Sequence, residues 1–507
     1  MIGNVQSYSL SKRIPDCNIL CMFADSDISH EIEFSSFSSS EKSILLKTVE
    51  RTQFTGKKTE MSIVHTEKAS ILLCGMGDQK NFSASDFQSR FTEIIRYVRK
   101  NRYKSVEVSG LVLKKYSPYE RARRLSLGLA LGNYEFLTYK SKKEQKEYQH
   151  VELVLVHILD NEEAEFEKGS SEGKAVAEAG NLVRTLVNEP GSHVHPETLV
   201  KTAFEIEARS KGRITVSLLE EDECRKKGMG AYLAVGKGSE HPLKFIVLEL
   251  KEKTDKSARH PLCLIGKSVT FDSGGLSLKP SKAMEDMKID MAGGATVLGV
   301  FSYFADHSSP ISLVGILPAC ENMPSGSALR PGDVVQACNG KTIEVVNTDA
   351  EGRLTLADAL SFSEKEFNPS GIVDLATLTG ACMVALGTDI AGVFGSEKKF
   401  TQKFLSHVFT EEGDTAWELP LYKSYAYLMK SSIAELKNVT GTGYGGAITA
   451  ALFLSEFVEK TPWIHVDIAG PAHNGGSARG GIPSGGTGWG VQTIISFIKS
   501  YERFKTS

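Results

Sequence analysis

The chain is 507 residues long, too long for a single hydrophobic core, so two domains or three are expected. Its 59 Lys and Arg residues nearly cancel 62 Asp and Glu, and the formal net charge of -3 gives no overall basic footprint for nucleic acid and no polybasic membrane patch. No window approaches the ~20 consecutive apolar residues of a membrane span. The start, "MIGNVQSYSLSKRIPDCNILCMFADSD", lacks the long apolar segment and cleavage site of a secretory signal, so a soluble, cytoplasmic protein is expected.

In chain order, a Ser-rich stretch, "SSFSSSEKS" (35–43), precedes three apolar runs that read as strands: "ASILLCGMG" (69–77), "SVEVSGLVL" (105–113) and "VELVLVHIL" (151–159). Charged helical patterns separate them, which predicts a smaller N-terminal α/β domain over residues 1–168. The polar, acidic "DNEEAEFEKGSSEGK" (160–174) reads as a boundary. The helical "EGKAVAEAGNLVRTLVNEPG", closed by Pro190 and Gly191, predicts a connecting helix over 169–190. Residues 191–507 alternate strand-like runs with helical patterns: "RITVSLL", "KFIVLEL", "PLCLIGKSVTF", "ISLVGILPAC", "TIEVVNT", "GIVDLATLTG" and "PWIHVDIAG". That alternation predicts a larger C-terminal catalytic domain whose mainly parallel central sheet is flanked by helices. Such sheets hold ligands at the carboxyl ends of their strands.

Three clusters fall where such a site would lie. In "GKSVTFDSGGLSLKP" (266–280), Lys267 and Asp272 close a strand and Lys279 follows a Gly-Gly turn. In "MKIDMAGGATVLG", Asp290 precedes the small residues that begin a helix. "NTDAEGRL" (347–354) places Asp349, Glu351 and Arg353 at alternate positions after the strand "TIEVVNT". Asp272, Asp290, Asp349 and Glu351 are thus expected along one sheet edge. Without cations they would raise one another's pKa values, and hard oxygen ligands with one amine suit a pair of divalent ions such as Mn²⁺ or Zn²⁺. The competing reading is ordinary: Thr348 with Glu351 fits a capping box. Residues two apart point about 200° apart on a helix but share a face in extended chain, so the metal reading needs extended chain at Asp349 and Glu351.

Other motifs are weaker. "GTGYGG" (441–446) fits G-x-G-x-x-G without a clear preceding strand. Ser273 lacks the G-x-S-x-G elbow and reads as a turn residue. His465 and His473 are candidate ligands, though a satisfied histidine is the commoner case. There is no H-E-x-x-H. The eight cysteines form no C-x-x-C pair and read as reduced core thiols. "RFTEIIRYVRKNRYKSVEV" is locally basic, and a solvated helix face is its simplest explanation.

Taken together, "NTDAEGRLTLADAL", "TFDSGGLSLKP", "DMKIDMAGGA", "DLATLTGA" and "GMGAYLAVGKGS" occur in the order found in the leucyl aminopeptidases of the cytosol aminopeptidase type, which the chain resembles over roughly residues 180–495. The resemblance implies a two-metal exopeptidase. By it, Lys267, Asp272, Asp290 and Glu351 hold one ion, Asp272, Asp349 and Glu351 hold the other, and Asp272 and Glu351 bridge. It also implies Lys279 and Arg353 as catalytic residues and Met287, Thr377 and Gly380 as lining for the first side chain, with Asn347 nearby. Arg353 cannot act as a base because guanidinium stays charged, and the resemblance implies bicarbonate held there. It further implies a homohexamer acting on peptides with a free N-terminus. Two departures are Ser268 and Ser192, where the family usually has Gly and more often has Asn. A nucleic-acid-binding scaffold and a two-metal phosphoesterase are the alternatives.

Overall fold

In the strand Cys17–Phe23, Cys17, Ile19, Cys21 and Phe23 enter one core cluster while Leu20 and Met22 enter another. A strand apolar on both faces requires cover on both sides. The computed structural model, which describes residues 4–8, 15–33, 35, 37–109, 116–148, 150–157, 161–252, 260–410 and 414–501, supplies it. Helices Ala84–Lys100 and Pro118–Gly132 pack on the first face, and Ile28–Glu33 and Ser39–Thr52 on the second. The six-stranded sheet runs Asn4–Tyr8, Leu153–His157, Ser105–Ser109, Cys17–Phe23, Ser70–Gly77, Met61–His65, parallel except for the last pair. The expected continuations over 110–113 and 158–159 lie outside the described residues.

The basic stretch of this unit forms the expected solvated face only in part: Lys100, Arg102 and Lys104 are exposed, but two of its arginines turn inward. Arg90 is buried, donating to the carbonyls of Gly75 and Glu60 and pairing with Glu93. Arg99 donates to the carbonyls of Asn133 and Tyr134 and pairs with Glu135. These guanidiniums tie strands and helix ends together from inside. The polar run expected as a boundary is helical from Glu163, in a single 26-residue helix, Glu163–Asn188. By contact density the chain forms two compact units, Met1–Glu178 with Ala478–Pro483, and Ala179–Ser477 with Ser484–Ser507.

The larger unit is built on a mixed, mostly parallel nine-stranded sheet with helices packed against it. Four strands run side by side and parallel at its centre: Trp463–Asp467, Gly371–Ala376, Leu262–Gly266 and Leu313–Asn322. Antiparallel strands Ala391–Gly395 and Lys244–Leu250 flank them. The run "PLCLIGKSVTF" is broken at Lys267 into Leu262–Gly266 and Ser268–Asp272, and the second piece pairs separately with Leu313–Asn322. "TIEVVNT" departs from expectation. Only Thr342–Glu344 is strand, and it belongs to a separate three-stranded sheet rather than the central one. All eight cysteines are free, and all except the half-buried Cys338 are buried. Among the described residues no helix is long and apolar enough to cross a membrane.

Candidate active site

The carboxyl ends of the four central strands carry Lys267, Asn322, Thr377 and Asp467 within a residue of their last positions. Lys267 is buried, with its ammonium 2.7 Å from Asp290 Oδ1, 2.8 Å from Glu351 Oε1 and 3.1 Å from the Thr377 carbonyl. Thr377 Oγ1 also donates to Asp290 Oδ1 at 2.7 Å. Lys279 spans Asp272, at 2.7 Å, and Asp349, at 2.5 Å. Asn322 donates to Asp272 Oδ1 and to the Thr348 carbonyl. Gly274, at a φ of 85° that favours glycine, turns its N–H onto the same Asp272 oxygen.

The stretch 347–351 is neither the capping box nor extended chain. Thr348 and Asp349 form a turn, and Thr348 Oγ1 donates to the Gly274 carbonyl instead of capping a helix. Asn438 braces the loop, accepting from the backbone N–H groups of Val346 and Asn347 and donating to the Asn347 carbonyl. The Asn347 side chain accepts from the Asp349 N–H. The helix Gly352–Phe367 begins immediately afterwards, and Glu351 makes no capping bond. A Cβ on Gly352 would lie 2.4 Å from Lys267 Cε, so glycine there is what allows the lysine to reach the carboxylates. Met287 opens a short turn, Met287–Ile289, ahead of Asp290, and Gly380 starts the helix Gly380–Leu386 after Thr377.

Burial pushes the Asp290 carboxyl well above its ordinary range, and the neighbouring Glu351 and Asp272 add to that against the opposing Lys267. Asp272 and Asp349 are raised for the same two reasons, burial and a nearby carboxylate. Burial alone would lower Lys267, but Asp290, Glu351 and Asp272 outweigh it and hold the ammonium charged; Lys279 is raised likewise by Asp272. Four carboxylates thus face two ammoniums. Oxygens of Asp272, Asp290 and Glu351 lie within 4.8 Å of one another. Glu351 Oε2 is buried with no hydrogen-bond partner, and Asp290 Oδ2, although 2.7 Å from Lys267 Nζ, makes no hydrogen bond at that angle. A buried, unsatisfied carboxylate oxygen is costly. A divalent cation satisfies it, so the donor set fits metal.

Arg353 is half-buried and donates to the Asn438 carbonyl at 2.7 Å, while its buried Nε finds no hydrogen bond. Burial brings it down to about 10 against the pull of Glu351 and Asp467. The histidine candidates lie elsewhere. His465 is buried with Nδ1 2.6 Å from Asp374 Oδ1, an oxygen pair completed by Trp463 Nε1–H, and neither it nor His473 joins the acidic cluster among the described residues. Ser273 donates to the Asn322 carbonyl, as a turn residue does. "GTGYGG" forms an exposed turn before the helix Gly446–Ser455, with only the two-residue strand Leu436–Lys437 ahead of it. Ser268 fits its turn by donating to the Gly266 carbonyl. Asn322, Asn438 and Asp467, which accepts from Thr379 Oγ1, were not singled out by sequence; a lone Asn or Asp at a strand end carries no spacing signal.

A buried carboxylate and lysine cluster at the carboxyl edge of a mixed α/β sheet defines a metallohydrolase class of site. The family model for the cytosol aminopeptidase catalytic domain matches residues 181–495, and that for its N-terminal domain matches 24–143, including sequence whose likeness the motifs alone did not reveal. A probable cytosol aminopeptidase of Chlorobaculum tepidum is 40% identical over 457 residues, covering 86% of this chain and 87% of its own. One from Persephonella marina is 44% identical over 379 residues, covering 74% and 73%. Among solved structures, a mutant tomato leucine aminopeptidase superposes with a TM-score of 0.88 at 32% identity, covering 99% and 97%. A bottromycin maturation enzyme, BotP, in complex with Mn does so at 0.82 and 29%, covering 96% and 99%. The chain belongs to the cytosol aminopeptidase family. It is a metal-dependent aminopeptidase, a hydrolase acting on peptides, and neither the scaffold nor the phosphoesterase reading is favoured.

Proposed function

We propose that this enzyme removes single N-terminal residues, leucine and other apolar ones preferred, from unblocked peptides. Asp272, Asp290 and Glu351, with Lys267 as the neutral amine that a dication beside it favours, would hold one divalent ion, Mn²⁺ or Zn²⁺, and Asp272, Asp349 and Glu351 a second. The observation that carries this is the unpartnered Glu351 Oε2 in a buried cluster richer in carboxylates than in ammoniums. Bound there, the ions supply Lewis acidity and a readily deprotonated water, and a bicarbonate at Arg353 supplies the proton acceptor that a guanidinium cannot be. Lys279, kept charged by Asp272 and Asp349, donates to the scissile carbonyl and stabilises the oxyanion as it develops. Arg353 presents its free Nε to a planar anion, the contact a guanidinium makes best. A free α-amine donates to Asp290, which an acylated N-terminus does far less well. Met287, Thr377, Gly380 and Asn347 line the pocket for the first side chain.

Residues 1–168 would form the N-terminal domain, 169–190 the connecting helix and 191–507 the catalytic domain, in a cytoplasmic homohexamer. The test is leucine release from leucyl amides by protein loaded with Mn²⁺ or Zn²⁺. Unblocked substrates should be cleaved, acetylated ones spared, and Glu351→Ala inactive. Absence of release from unblocked substrate with either ion contradicts the proposal.

A further inference from the structure

Outside the acidic cluster, the larger unit brings together His195, His241 and Glu321, whose nitrogen and oxygen atoms lie within 4.8 Å of one another. They come from three elements: the start of the helix Pro196–Arg209, the turn before the strand Lys244–Leu250, and the end of the strand Leu313–Asn322. The protonation pattern of His195 follows from its neighbours. Its Nε2 lies 3.2 Å from the Ser192 carbonyl, which can only accept, so Nε2 carries the hydrogen. In the neutral ring Nδ1 is then a bare lone pair. It is buried, has no hydrogen bond, and lies 3.5 Å from Glu321 Oε1.

A lone pair facing a carboxylate oxygen requires something positive between them, a proton or a metal ion. His241 brings a second nitrogen donor to the same place. Its ring stacks on His195 with centroids 3.7 Å apart and planes at 27°. A proton would engage His195 alone, whereas an ion takes up His241 as well, the exposed ring turning out of the stack to bring a nitrogen to it. The surroundings are also those of a ligand set. An imidazole N–H anchored on a backbone carbonyl is the usual support for a metal-binding histidine. Ser239 Oγ donates to Glu321 Oε2 at 2.6 Å and accepts from the His241 N–H at 3.0 Å, orienting Glu321 so that Oε1 is left for the ion.

We propose that His195, His241 and Glu321 bind a further divalent ion of the Zn²⁺ type, independent of the metals assigned to the acidic cluster. Two imidazoles and a carboxylate suit zinc, with the remaining position open to water beside the exposed His241. Contraction to zinc's ~2.0–2.1 Å bonds would tie the three elements together. Glu321 directly precedes Asn322, which holds Asp272, so the ion would brace the strand end that supports the catalytic cluster.

The test titrates zinc alone into metal-free full-length protein and counts bound zinc per chain by atomic emission after desalting. Wild type should retain one more zinc than His241→Ala, whose exposed position leaves the fold intact, and Glu321→Gln should repeat that loss. At saturating zinc His241→Ala should melt several degrees below wild type, and without metal the two should melt together. Equal zinc counts in wild type and His241→Ala overturn the proposal.

Discussion

Arg353, half-buried, and Asp358, fully buried, lie on one helix, and each is a charge with a different remedy. Arg353 has one backbone carbonyl and a free, buried Nε, so a half-buried cation lacks a hydrogen-bonded anion. Bicarbonate should therefore accelerate hydrolysis by wild-type enzyme in carbonate-free buffer. Arg353→Ala should lose about 10²-fold in turnover, the scale of a displaced general base, and should no longer respond. An undiminished response in the variant would remove Arg353 from the anion site. Asp358 accepts the Tyr232 and Cys338 N–H groups at 2.8 and 2.7 Å, yet burial outweighs these bonds and pushes it up from 3.8 to about 7. The folded state then binds the proton that the unfolded chain has released. Between about pH 4 and 7 this group's contribution to stability falls as pH rises, by up to about 4 kcal/mol, and is level above. Asp358→Asn, which does not titrate and leaves one N–H without an acceptor, should be less stable at pH 5 by a margin that narrows by pH 8. Guanidinium unfolding at the two values measures the margin; a constant or widening one contradicts the assignment.

Gly352 is where element and site meet. Its missing Cβ leaves the space that Lys267 occupies, and the first helical turn has no room to shift because Glu351 must stay beside that lysine. Alanine is the better helix former by about 1 kcal/mol, so Gly352→Ala should retain or raise helix content while lowering metal bound per chain and abolishing activity. Circular dichroism and metal analysis separate the two effects; a fully metallated, active variant would show that Lys267 can move aside. The same stretch marks how far sequence reading reaches. The central strands were legible because both faces are buried and their runs are continuously apolar, and Lys267 and Asp272 were legible because they close one of those runs; Asp290, Asp349 and Glu351 were legible from their motifs and not from a central strand. The turn at Thr348–Asp349 was not, since T-x-x-E spacing describes a cap equally well and only the distant Gly274 and Asn438 decide otherwise. Pairing of Thr342–Glu344 with Val334–Gln336 and Leu436–Lys437, outside the central sheet, is likewise a long-range fact. Short strands such as Ala391–Gly395, with glycine at two of five positions, lack the pattern that would announce them. The basic run was legible at its exposed end, Lys100 to Lys104, but not at Arg90 and Arg99, because arginine can be turned inward to cap carbonyls, which charge spacing does not encode.

At the scale of the molecule, each unit has its own core, and every residue assigned to the acidic cluster belongs to the larger one. A ligand that binds only the native state stabilises what it binds, by about 2.7 kcal/mol at a hundred times its Kd. For a unit of this size that corresponds to several degrees. The buried thiols report on the units separately: Cys17, Cys21 and Cys74 lie in the smaller, Cys263 and Cys320 in the larger. Burial raises all five, so labelling at neutral pH requires local or global opening rather than thiolate already present. Chelating the metal and heating in the presence of an alkylating agent should therefore lower the temperature at which Cys263 and Cys320 become modified, read by mass spectrometry of their peptides. Cys17, Cys21 and Cys74 should be modified at the same temperature with or without metal. A common shift of all five thiols would mean that the two units unfold as one, and that metal bound in the larger stabilises the whole chain.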